Sequence, residues 1–198
     1  MTAPARRRRA LTAATSVVVA VVAGCTSSAP LPPVAREPVP PFTWVILGGD
    51  ATVDDRRPVP LGATWPQVAF ADHLPPAAVE VNLGRPGADL AAVGRDQVPA
   101  AIELDADLAT LWLADGDPGT SQEVLDDILS RLTGAGAEVV VVLGGADAVG
   151  GGASFGDLGS VRDVTVVAIP DPDLLTPAGH ARVAELLGPA LRAASAGP

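Results

Sequence analysis

Lysine and tyrosine are absent from this 198-residue chain, and cysteine and methionine occur once each. Two histidines and 3% aromatic residues complete the list of scarcities. A single Cys excludes a disulfide framework, and one Cys with two His cannot build an ordinary zinc site. All 13 basic residues are Arg, as in sequences from high-GC genomes, and 23 acidic residues outnumber them, for a net charge of −10. A chain this acidic repels a phosphate backbone, which argues against a nucleic-acid partner. What is plentiful is apolar: 48% of residues are hydrophobic, in a length that suits one domain with a sizeable core.

The N-terminal end reads as an address. Arg6, Arg7, Arg8 and Arg9 form a positive region, and an uncharged segment from Leu11 to Ala23 follows. That segment is too short for a comfortable membrane span and closes in small residues, as a secretory signal does. It ends Val22-Ala23-Gly24-Cys25, which resembles the lipobox of bacterial lipoproteins, whose Cys is lipidated and becomes the first mature residue. The polar Thr26-Ser27-Ser28 suits an exposed anchor better than a buried thiol. Each acyl methylene buried contributes about 0.8 kcal/mol, so the several chains implied at Cys25 would hold the protein on a membrane. Removing the four signal-peptide arginines takes the charge from −10 to −14, so lipid rather than surface charge is the expected anchor. The expected organisation is a signal peptide over 1–24, a lipidated Cys with a Pro-rich tether over 25–42, and a domain over 43–198. The tether carries Pro30, Pro32, Pro33, Pro38, Pro40 and Pro41, a density that favours extended polyproline-type chain.

Beyond the tether, strand-like and helix-like patterns alternate. Thr43–Leu47, Val79–Leu83, Leu108–Leu113, Glu138–Leu143 and Val164–Ile169 are short apolar runs that read as strands. Helices are expected over Trp65–Asp72 and Asp89–Leu104, and again after Thr120-Ser121-Gln122-Glu123, which has the spacing of a capping box. Thr176-Pro177 reads as an N-cap with Pro at the first helical position of a last helix. Five apolar strands with helices between them predict an α/β three-layer sandwich around a five-stranded parallel sheet. Ligands of such sheets bind beyond the carboxyl ends of the strands.

Those ends read Leu47-Gly48-Gly49-Asp50-Ala51-Thr52, Asn82-Leu83-Gly84, Trp112-Leu113-Ala114-Asp115-Gly116-Asp117 and Asp171-Pro172-Asp173-Leu174-Leu175-Thr176-Pro177-Ala178-Gly179-His180. In this order they resemble the blocks of the SGNH (GDSL-type) hydrolase family, over roughly Thr43 to Leu191. The resemblance implies an SGNH-hydrolase/flavodoxin-like fold and no cofactor. It also implies a role for each position. Asp50 stands in the nucleophile slot, or Ala51 if the first block is shifted by one residue. Gly84 stands in the oxyanion slot, Gly116 in the slot of the oxyanion Asn, Asp171 in the acid slot and Leu174 in the slot of the general base. His180 matches a second His of the last block that is not the catalytic one. The family's Ser, Asn and His are thus all replaced.

Acyl transfer of this design needs an activated hydroxyl, a base within reach and donors for the oxyanion. The reading is therefore a lipid-anchored protein on the extracytoplasmic face of the cell membrane, whose SGNH-hydrolase-like domain is a non-catalytic binding or accessory module. A glycan, acyl or peptide ligand of the envelope is the expected partner. The alternative is a divergent ester or acyl hydrolase built on the carboxylates Asp50, Asp117 and Asp171. With Asp115 and Asp173 nearby, those carboxylates could also hold a hard cation such as Ca²⁺, although solvated loop residues and helix caps explain most of them. Gly152-Ala153-Ser154-Phe155-Gly156 matches the nucleophile-elbow pattern but lacks the strand and helix that an elbow requires.

Overall fold

The computed structural model describes residues 41–53, 59–114, 122–145, 164–170 and 173–196. The signal segment, Cys25 and most of the tether lie outside these residues.

Among the described residues five strands follow the order the apolar runs predict, and a helix follows each of them but the fourth. They are β1 (Thr43–Leu47), β2 (Val79–Asn82), β3 (Leu108–Ala114), β4 (Glu138–Gly144) and β5 (Val164–Ile169). All pair in parallel, in the spatial order β2-β1-β3-β4-β5. The order reverses between β1 and β3, so their carboxyl ends form the switch point where an open α/β sheet presents its crevice.

The pleat sends alternate side chains to opposite faces. From β1, Val45 and Leu47 pack with Ala109, Leu111, Val139 and Val141 beneath one helical layer. That layer comprises α2 (Leu90–Ala92), a π-helical turn (Val93–Gln97), α3 (Val98–Glu103) and α4 (Gln122–Gly134). Trp44 and Ile46 point the other way, with Leu108, Trp112, Val140 and Val142, under α1 (Trp65–His73) and α5 (Pro177–Ser195). These two cores make the three-layer sandwich. The buried stripe of α4 is Leu125, Ile128, Leu129 and Leu132, and that of α5 includes Val183, Leu187 and Leu191.

Local chemistry explains the element ends. Asp89 caps α2 by accepting from Ala92 N–H at 2.7 Å. Thr176 caps α5 by accepting from Gly179 N–H at 3.1 Å, with Pro177 in the first turn. β2 stops at Asn82, one residue before the end that apolarity suggests. The Asn82 side chain there bonds the chain's own turns, as described below. The helix expected over 89–104 contains the π-helical turn, which no apolar periodicity announces.

All three tryptophans lie on the α1/α5 face. Trp44 and Trp65 meet edge-on with centroids 6.3 Å apart, and Trp65 and Trp112 lie 5.4 Å apart with planes tilted by 38°. The Trp44 indole N–H is buried and donates to Thr110 Oγ1 at 2.8 Å, which satisfies both groups.

Candidate functional site

The turn after β1 begins at Gly48, whose φ of +147° suits glycine. A Cβ there would approach Thr52 Cγ2 to 2.9 Å and Trp112 Cβ to 3.2 Å. Gln97 grips this glycine from below. Gly48 N–H donates to Gln97 Oε1 at 2.9 Å, and Gln97 Nε2 donates to Gly48 O at 3.0 Å. The buried amide thus imitates a neighbouring strand, and the π-helical turn that ends at Gln97 sets it in place. Such turns recur at functional sites.

Each following residue has its own tether. The Asp50 carboxylate accepts from Gly87 N–H at 2.7 Å and so fixes the loop after β2. Ala51 O accepts the Trp65 indole N–H at 2.8 Å. Thr52 donates its hydroxyl to Gly49 O at 2.7 Å, while its own carbonyl accepts from Asn82 Nδ2 at 2.6 Å. The other end of that amide, Asn82 Oδ1, accepts Gly84 N–H at 2.9 Å. A Cβ on Gly84 would overlap the Thr52 hydroxyl, so the two loops pack at a distance only glycine permits.

The segment before α5 completes the rim. Leu174 is 7% exposed and packs in the core beneath α1 and α5. Asp173 accepts from Leu175 N–H at 3.2 Å and from the Thr176 hydroxyl at 3.0 Å, which makes it a local cap. His180 is 1% exposed. Its Nδ1 accepts the Trp65 backbone N–H at 2.9 Å, the free donor at the start of α1. That bond assigns the ring proton to Nε2, which donates to Leu174 O at 3.0 Å. His180 therefore ties α1, α5 and the segment bearing Leu174 together.

Among the positions singled out from sequence, the structure brings Asp50 and Gly84 onto two adjoining loops and places Leu174 in the core. Gly116, Asp115, Asp117, Asp171, Ser154 and Cys25 lie outside the described residues. Among the described residues, no group of three His, Cys, Asp or Glu side chains could hold a metal ion. No described helix is long and apolar enough to cross a membrane.

Trp65, near the first loop, is legible from sequence as a residue that could line a binding surface, whereas the sequence motifs name neither Gln97 nor Glu80. Gln97 carries a legible signal, because it interrupts the apolar stripe Leu90, Val93, Ala101 as a polar residue on the core side. Glu80 borders a cleft of about 430 Å³ lined by β2 and the start of α1, beside the turn network. Val53, Leu61 and Pro66 line the cleft, together with Thr52 and Asn82 of the turn network. Glu80 Oε1 accepts from Gln67 Nε2 at 2.9 Å, while Oε2 is buried with no hydrogen-bond partner. Burial raises the Glu80 pKa above the usual carboxylate value, against a smaller lowering by the Gln67 bond.

No protein-family model matches the sequence, and no curated protein matches it. Solved structures do match. A protein assigned to the G-D-S-L lipolytic family from Desulfitobacterium hafniense DCB-2 superposes with a TM-score of 0.57 at 12% identity, covering 75% of this chain and 98% of that one. TesA superposes with a TM-score of 0.51 at 18% identity, covering 77% of this chain and 99% of its own. At these identities the likeness concerns the path of the backbone. The domain has the fold of the SGNH (GDSL-type) lipolytic hydrolases.

Proposed function

We propose that the chain is a lipid-anchored envelope protein whose SGNH-hydrolase-like domain works as a non-catalytic binding or accessory module. One observation carries this reading: the groups in the nucleophile and oxyanion slots are spent on holding loops. The Asp50 carboxylate is committed to Gly87 N–H, and Gly84 N–H is committed to Asn82. The turn from Gly48 to Thr52 contains no serine, and Leu174 offers no imidazole to accept a proton.

The magnitudes favour binding over turnover. Loss of a triad's nucleophile or base costs about a millionfold in rate. Loss of one oxyanion donor costs on the order of a hundred- to a thousandfold. Both losses together leave nothing of serine-esterase chemistry to measure.

The direct test is hydrolysis of p-nitrophenyl acetate and butyrate by the full chain, with Asp50→Ala and Asp171→Ala as controls. The expected trace equals the buffer blank for all three proteins. Turnover that both substitutions abolish would replace this reading with a carboxylate hydrolase built on Asp50, Asp117 and Asp171. The anchor is tested separately. Cys25→Ser should abolish incorporation of a labelled fatty acid and move the protein from the membrane fraction to the soluble one.

A further inference from the structure

Among the described residues that line the cleft beside β2, Glu80 is the one ionisable group and none is a cation. Its other polar groups are largely committed. Thr64 donates its hydroxyl to Leu61 O at 2.9 Å, Thr52 donates to Gly49 O at 2.7 Å, and both ends of the Asn82 amide are bonded. Glu80 is the charged acceptor with capacity to spare, for an ionised carboxylate offers about four acceptor sites and here receives one neutral donor. Val53, Leu61 and Pro66 supply aliphatic walls, and Leu61 at the rim is 77% exposed.

We propose that this cleft binds a short aliphatic primary ammonium ion, with the ammonium on the Glu80 carboxylate and the alkyl chain along Val53, Leu61 and Pro66. The net charge of −10 favours a cation over an anion at this surface. Glu80 Oε2 is closed to solvent, so an entering ammonium reaches the carboxylate by displacing the Gln67 amide. The exchange replaces a neutral hydrogen bond with a charge-assisted one, which is roughly twice as strong. The raised pKa of Glu80 agrees, because a carboxylate that burial disfavours in its charged form gains most from a cationic partner. The inference is independent of the function proposed above, since it requires neither hydrolysis nor its absence.

The experiment is titration of the purified full chain with n-butylammonium chloride at low salt and neutral pH, followed by amide chemical shifts. Butyrate and n-butanol serve as the anionic and neutral counterparts. Saturable shifts are expected around Val53, Gln67 and Glu80 with the ammonium ion, and none with butyrate. Glu80→Gln should weaken binding by about tenfold or more, as expected for a lost hydrogen bond to a charged group. Gln67→Ala should bind the ammonium at least as well as the parent, because it removes the competing donor. Equal binding of n-butanol or butyrate, or a Glu80→Gln variant within twofold of the parent, would overturn the proposal. Melting curves of both variants, run alongside, confirm that each is folded.

Discussion

His180 offers the sharpest test of how this site is held. The substitution His180→Leu keeps apolar bulk at the position and deletes both ring nitrogens. Two buried hydrogen bonds go with them, from Trp65 N–H at 2.9 Å and to Leu174 O at 3.0 Å. Trp65 is 0% exposed and Leu174 7%, so neither backbone group has ready access to water in exchange. An unsatisfied buried group costs about 1–3 kcal/mol, which puts the pair at about 2–6 kcal/mol. The leucine's own burial returns part of that, and about 3 kcal/mol of net destabilisation is expected. For a chain of this size each kcal/mol shifts Tm by about 2–4 °C, so the variant should melt about 6–12 °C below the parent.

The assay is far-UV circular dichroism melting of the full chain at neutral pH. Arg182→Ala is the control on the same helix. It removes an exposed pair, Arg182 Nη1 to Glu185 Oε2 at 2.6 Å, with side chains 62% and 69% exposed. Exposed pairs contribute at most about 1 kcal/mol, so this control should stay within about 4 °C of the parent. If His180→Leu melted as close to the parent as Arg182→Ala does, the reasoning would fail. His180 would then be a side chain whose removal the fold tolerates, as a residue kept for chemistry often is, rather than a clamp.

Gln97→Leu should cost about 1–3 kcal/mol in urea unfolding, because Gly48 N–H loses its acceptor while Gly48 O retains Arg85 N–H at 3.1 Å; an unchanged midpoint would refute the pinning of this turn. Gly84→Ala forces a methyl into the Thr52 hydroxyl and should destabilise by about 1–3 kcal/mol. Adding Thr52→Ala should restore part of that loss, and strict additivity would show that the two loops do not meet there. Glu80→Gln tests the sign of a raised carboxylate pKa. The folded parent binds the proton more tightly than the unfolded chain, so the parent loses stability as pH climbs through the ordinary Glu value of about 4.3 towards the folded value. The Gln variant should therefore melt higher at neutral pH, by an amount worth less than about 1 kcal/mol because the carboxylate is only half-buried, and the gap should close in acid. A gap that widens on acidification would reverse the assignment.

The sheet was legible because a buried parallel strand is a continuous apolar run, and Val139-Val140-Val141-Val142 can be little else, while the edge strand Val164–Ile169 keeps an apolar run although only Ile169 is fully buried. The start of α5 was legible for a local reason, since Thr176 and Pro177 act within one turn of chain. The contacts that hold the site span far greater separations. Gly48 meets Gln97 across 49 residues, and Trp65 meets His180 across 115. No spacing rule links such pairs before the fold is known. The π-helical turn escaped for a related reason: its partner for Gln97, the Gly48 backbone, lies 49 residues away. The depth of Leu174 also needed the fold, because a lone Leu after a strand reads equally well as a loop residue.

That distinction bears on what a fold of this kind can say about chemistry. The groups that hold the first turn are a buried amide at Gln97, an indole N–H at Trp65 and a side-chain amide at Asn82. The Gln97, Trp65 and Asn82 contacts all end on backbone atoms of Gly48, Ala51 and Thr52, so these tethers work the same way whichever side chain stands at position 50 or 51. Asp50 adds a further tether that a serine hydroxyl, shorter by one atom and uncharged, would not match in strength. The same backbone path can therefore be stable with or without a nucleophile upon it. Backbone likeness at 12–18% identity then carries the fold alone, and the chemistry rests on the side chains at the strand ends.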